Sequence, residues 1–176
     1  ITSETISSTI SNEMKSDTII AVVVAIICML IYIRFRFSQW KFGGAALLGV
    51  LHDVLIVIAF YAIFNVQVNN PFIAAILTVV GYSINNTIVV FDRIREYTHL
   101  YPKRDKKQLF NDAVNSTLAR TINTSLSTLI VLLAIFFLGG DSIRSFAFAM
   151  ILGVVFGTCS SIFIAAPTAY SIIRKK

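Results

Sequence analysis

Apolar residues gather along the chain in five long runs, 18–33, 42–64, 71–91, 118–138 and 142–166, separated by polar connections. A helix crosses the hydrocarbon core of a bilayer with about 20 mostly apolar residues, so the pattern predicts five transmembrane helices. The first run is short, and Ile10 and Met14 extend it as an amphipathic lead-in. One connection is long. Residues 92–117 are polar and charged, with Lys103, Arg104, Lys106 and Lys107 beside Pro102, and they read as an amphipathic loop segment between spans. The predicted fold class is therefore all-α, a polytopic membrane helix bundle. Residues 1–17, rich in Ser and Thr, read as the end of a separate domain outside the membrane.

Composition agrees. Of 176 residues 56% are hydrophobic and 14% charged, and mean hydropathy is +0.79. A soluble domain carries roughly 45–50% apolar and about 25% charged residues, so an ordinary water-soluble fold is excluded. The two cysteines, Cys28 and Cys159, lie inside apolar runs and offer neither a disulfide framework nor a metal-ligand spacing. The net charge of +6 and the pI near 9.6 do not require nucleic acid, because the basic residues sit between apolar runs instead of gathering on a soluble surface.

Those charges set the orientation. Lys and Arg near span ends are retained on the cytoplasmic side. With the amino end outside, all of the 15 Lys and Arg except Lys15 and Arg144 fall inside. The expected topology is amino end out, carboxyl end in, with basic segments able to touch anionic lipid or a cytoplasmic partner. The chain starts at Ile1, and no signal-peptide pattern precedes the first run. An odd number of spans starting outside leads to the expectation that an earlier span and an extracytoplasmic part precede Ile1.

Ionisable groups inside spans are costly and point to function. Asp53, preceded by His52, lies near the middle of the second run. Asn85 and Asn86, between Ser83 and Thr87, lie toward the inner end of the third. Arg120 opens the fourth and is followed by Asn123, Thr124, Ser127 and Thr128, the spacing that lines one helix face. Lipid has no partners for such a stripe, so it must face protein or water. The expectation is that it meets the Asn86 face and that Asp53 approaches both. For each residue a structural role competes: Arg120 snorkelling to headgroups, the amides and hydroxyls bonding between helices. Gly153, Gly157 and Ser161 form a small-residue ridge, and Ala45 and Gly49 repeat its spacing, which fits close helix packing. No motif unites a nucleophile, a base and an orienting group, and no Gly-rich phosphate loop occurs. An enzyme, a metal site or a bound cofactor is not expected.

Particular runs carry a family resemblance. GYSINNTIVVFDRIRE (Gly81 to Glu96) resembles the fourth-transmembrane signature of the SecF family, and GVLHDVLI (Gly49 to Ile56) resembles its segment one span earlier. LARTINTSLSTLIVLLAIFFLGG (Leu118 to Gly140) and GTCSSIFIAAP (Gly157 to Pro167) resemble the two that follow. The resemblance implies a bacterial cytoplasmic-membrane protein of the resistance-nodulation-division superfamily, a half-bundle lacking its first helix. It implies use of the proton-motive force in late polypeptide export, with protons as the coupling ion. Its implied partners are SecD, SecYEG, SecA indirectly and the secreted polypeptide, with YidC and YajC as further candidates. Carried over by position, the family's intramembrane acid falls on Asn86, its basic partner on Arg120, and Thr124 lies one turn on; Asp53 completes the expected relay. His52, Asn85, Asn123, Ser127 and Thr128 would line it. The family pattern expects Asp where Asn86 stands. An amide cannot titrate, so the relay is expected to be impaired. A drug or lipid exporter of the same superfamily, or a non-conducting scaffold of the translocon, remains as an alternative.

Overall fold

The computed structural model describes residues 40–66, 68 and 70–174, together with 16, 19–21, 23–25, 27, 28, 31, 32 and 35 upstream. The expected end of an extracytoplasmic domain, 1–17, lies outside the described residues but for residue 16. The expected span 18–33 lies partly outside them; its described positions are helical, and Ile19, Val23, Ile27 and Ile31 are exposed.

The remaining chain folds as α1 (Trp40–Ile63), α2 (Asn70–Leu100), α3 (Lys106–Leu138) and α4 (Asp141–Ser160), then a π-helical turn (Ser161–Ala165) and α5 (Ala166–Arg174). In hydrocarbon every backbone N–H and C=O must be satisfied within the chain, and long apolar runs do so as helices. Four stretches are long and apolar enough to cross a membrane: Phe42–Ile63, Pro71–Leu100, Lys106–Leu138 and Ile143–Arg174.

Local chemistry sets the ends. After α1, Asn65 takes a left-handed conformation (φ 50°) that asparagine tolerates better than most residues. The Val66 N–H reaches the Tyr61 carbonyl at 3.0 Å and the Asn65 N–H reaches that of Ala62 at 3.4 Å, a Schellman closure of the helix. Pro71 lies in the first turn of α2, where its missing N–H costs nothing. Pro102 follows the last turn of α2, and the Asp105 carboxylate caps α3 by accepting from the Gln108 N–H at 3.3 Å. At Gly139 a Cβ would strike the Ile135 carbonyl oxygen, so the α3–α4 turn needs glycine there.

One expectation changes. The segment 92–117 is helical except at residues 101–105, because α2 and α3 continue past their apolar portions. The 31 residues of α2 extend about 46 Å, against roughly 30 Å of hydrocarbon. Outside the membrane this hairpin is held by the Arg93 Nε–H donating to Ser116 Oγ (2.9 Å) and the Arg104–Asp112 pair (2.9 Å), while Arg93 also pairs with Glu96 along α2 (2.6 Å).

α2 and α4 form the centre, with α1 against both on one side and α3 against both on the other. The buried share of each apolar window follows that order: 50% for α2 and for α4–α5, 33% for α1, and 17% for α3. Gly153 of α4 backs onto Val79 so closely that a Cβ would overlap that side chain, and Gly49 brings α1 near Ala165. Two apolar clusters result. One, around Phe42, Val50, Phe91, Ile94 and Phe110, fills the end near the basic turn; the other, around Val57, Tyr61, Phe72, Val79 and Met150, fills the opposite end. Buried polar side chains form a layer between them.

Candidate functional site

The layer centres on Asp53, which is fully buried. Its Oδ2 accepts from Ser83 Oγ on α2 at 2.5 Å and from Ser160 Oγ on α4 at 2.7 Å. Its Oδ1 lies 3.1 Å from Nδ1 of His52, whose ring reaches the bundle surface. One carboxylate thus links three helices. Hydrogen bonds to a charged acceptor are worth about 1.5–3 kcal/mol each, which offsets part of the cost of holding the group away from water. Gly157 lies beside this cluster, where a Cβ would meet Asp53 Oδ2 at 3.5 Å and Ser83 Cβ at 3.4 Å, ordinary contact distances.

The next turn is stitched in the same way. Ser161 Oγ donates to the Gly157 carbonyl at 2.8 Å and lies 3.0 Å from Thr87 Oγ1. There the helix widens: the Ala166 N–H reaches back to the Ser161 carbonyl, five residues earlier. Single π turns inside α-helices concentrate at functional sites.

A second chain of hydrogen bonds joins α2, α3 and α4. Thr158 Oγ1 donates to the Val154 carbonyl (2.7 Å) and lies 2.6 Å from Ser125 Oγ, which accepts from the Tyr82 hydroxyl at 3.2 Å. Asn86 is buried and its Nδ2 donates to Thr158 Oγ1 at 3.5 Å. Asn85, its neighbour, is exposed.

The structure does not bring the Arg120 stripe to this layer. Arg120, Asn123, Thr124 and Ser127 are exposed and Thr128 is half-buried, all on the outer face of α3. Thr124, Ser127 and Thr128 bond back to the carbonyls of Arg120, Asn123 and Thr124 at 2.9, 2.8 and 3.0 Å. The face that α3 buries is instead Leu109, Phe110, Ala113, Thr117, Thr121, Ser125 and Leu132. The expected meeting of Arg120 with Asn86 and Asp53 is therefore absent within this chain. The physical reason is that α3 carries two polar lines, and the inward one has the smaller side chains, which fit against α2 and α4.

Ser160, Thr158 and Ser125 went unremarked in the sequence. Their signal is faint: small hydroxyls within apolar helices, Thr158 and Ser160 two positions apart and Ser125 on another helix, which often do no more than back-bond within one helix. Among the described residues no group of three His, Cys, Asp or Glu could hold a metal ion. Nor, among them, is any buried side-chain polar atom left without a hydrogen-bond partner.

Comparison with known proteins decides the family. The family described as "Protein export membrane protein SecD/SecF, C-terminal" matches residues 1–175. This chain belongs to the SecD/SecF protein-export family. A protein translocase subunit SecF of Sebaldella termitidis is 41% identical over all of this chain and 57% of its own length. A SecDF of Thermus thermophilus is 45% identical over 94% of this chain and 22% of its own length. The crystal structure of SecDF from Thermus thermophilus, described as a translocon-associated membrane protein, matches with TM-score 0.90 and 42% identity, over 96% of this chain and 23% of that one. A SecDF in a super-membrane-facing form matches with TM-score 0.85 and 41% identity, over 97% and 22%. The chain thus spans about half the length of the curated SecF relatives it matches. Family membership and four membrane-long apolar helices together make it a multi-pass membrane protein.

Proposed function

We propose that the chain is the membrane part of a SecF-type translocase subunit that works with SecD and the SecYEG channel, using the proton-motive force to help draw polypeptides outward. In this reading the basic end of the bundle is cytoplasmic and the carboxyl end lies inside. The outer stripe of α3 meets the SecD bundle, so that Arg120 and Thr124 enter the relay only in the assembled pair. That arrangement fits transporters whose functional groups lie between pseudo-symmetric halves.

The observation that carries the proposal is Asp53, the one carboxylate buried among the described residues, shared by serines of two other helices. Asn86 occupies the family's acidic position with an amide, which cannot exchange a proton. The relay is impaired at that step, and Asp53 alone remains to carry a proton. A charge moved through the whole membrane potential yields roughly 2.3 kcal/mol per 100 mV, and losing that transfer removes the drive.

Proton flux in proteoliposomes holding the full gene product with SecD tests this. Asn86→Asp is expected to raise flux severalfold; equal flux with Asn and Asp overturns the reading. The fixed amide at position 86 also favours a second reading, a non-conducting scaffold of the translocon. Export assays with an uncoupler separate the two, because only a motor's contribution vanishes.

A further inference from the structure

At the basic end of the bundle, away from the Asp53 layer, the α2–α3 hairpin leaves a cavity of about 340 Å³. Its floor is apolar and buried: Phe42 from the start of α1, Ile94 from α2 and Phe110 from α3. Its rim carries Arg95, Arg104 and Lys106, all exposed, and among the described residues no carboxylate lines it. Arg104 gives one amino group to Asp112 at 2.9 Å, which leaves the rest of its five N–H donors for other acceptors. Phe42 opens the apolar window of α1, so the cavity stands where the spans leave the hydrocarbon. Tyr97 and Tyr101 beside it, each under an arginine at 4.8 and 5.7 Å, suit the same interfacial level.

We propose that this cavity is a binding site for one anionic phospholipid, its phosphate among Arg95, Arg104 and Lys106 and the head of its acyl chains on the apolar floor. The volume falls at the small end of ligand pockets, enough for a headgroup and the first carbons of its tails. Charge complementarity selects an anion. The buried aromatic floor at the membrane boundary selects an amphiphile over a water-soluble anion or an acidic peptide. Basic pockets between spans on the cytoplasmic side take such headgroups in general.

Native mass spectrometry of the full gene product, released from nanodiscs of equal phosphatidylglycerol and phosphatidylcholine, tests the site. The wild type is expected to retain one phosphatidylglycerol per chain. Replacing two rim cations, Arg95→Gln with Lys106→Gln, is expected to weaken retention about thirtyfold, the headgroup attraction of two cations. Lys103→Gln with Lys107→Gln removes the same charge from exposed residues that do not line the cavity, and retention should hold. Thr98→Trp fills the cavity with all rim charges kept, and retention should fall as in the rim variant. Equal loss in both charge pairs means diffuse surface attraction and overturns the proposal. So does equal retention of the two lipids, or full retention in Thr98→Trp. Displacement by millimolar inorganic phosphate, or by an acidic peptide at the lipid's own concentration, assigns the rim to that ligand and likewise overturns it.

Discussion

Two polar regions of this molecule obey opposite rules. Around Asp53 the carboxylate and the Ser83 and Ser160 hydroxyls point inward and find their partners within one chain, on α1, α2 and α4. Along the outer face of α3, Arg120, Asn123, Thr124 and Ser127 point outward, and the hydroxyls among them bond only to their own helix. The first region is complete as a fold; the second is a surface whose Arg120 and Asn123 find no counterpart in acyl chains. Polarity in a membrane helix therefore has two meanings, self-contained cohesion or a demand on a neighbour, and direction alone separates them.

Substitutions sharpen the contrast. Asp53→Ala removes two hydrogen bonds to a charged acceptor and should destabilise the bundle by about 3 kcal/mol, read as a lower thermal unfolding midpoint in detergent. An unchanged midpoint would show that the inner layer does not hold the helices. Gly153→Ala drives a methyl into Val79 at the α2–α4 crossing and should cost about 2 kcal/mol by overpacking. If it proves neutral, the central pair is looser than drawn. Ser160→Ala removes one of the two serine donors and should cost about 1.5 kcal/mol; a loss as large as that of Asp53→Ala would mean that one serine carries the whole linkage. Smallest is the effect of Arg120→Leu, which should leave the midpoint of the lone chain in place while weakening co-purification with a SecD partner. A lone-chain loss matching Ser160→Ala would erase the distinction between the two regions.

How much of this was legible in the sequence depends on what each signal measures. Apolar run length reports the membrane crossing, and the runs 42–64, 71–91, 118–138 and 142–166 all lie on long helices. It does not report where a helix ends. Asp92, Arg93, Arg95 and Glu96 end the apolar run, yet the backbone continues to Leu100, helped by the i,i+3 pair of Arg93 and Glu96. Asp53 stood out because a carboxylate in a span is expensive. Ser83 and Ser160 did not, because a hydroxyl can always return to its own helix and so gives no hint of a distant partner. For α3 the stripe was readable and its direction was not: Thr117, Thr121 and Ser125 form a competing line, and only packing chooses between them.

The π-helical turn at Ser161–Ala165 carries one further consequence. By spending an additional residue within a single coil, it resets the angular phase of everything downstream by about 100°. Ala166 and Ala169, past the widened coil, owe their inward aim to that reset. Excising one residue there would restore an unbroken α-helical spiral and wheel the terminal segment about its axis, so that the alanine seam leaves Phe110 and bulkier side chains sweep into its place.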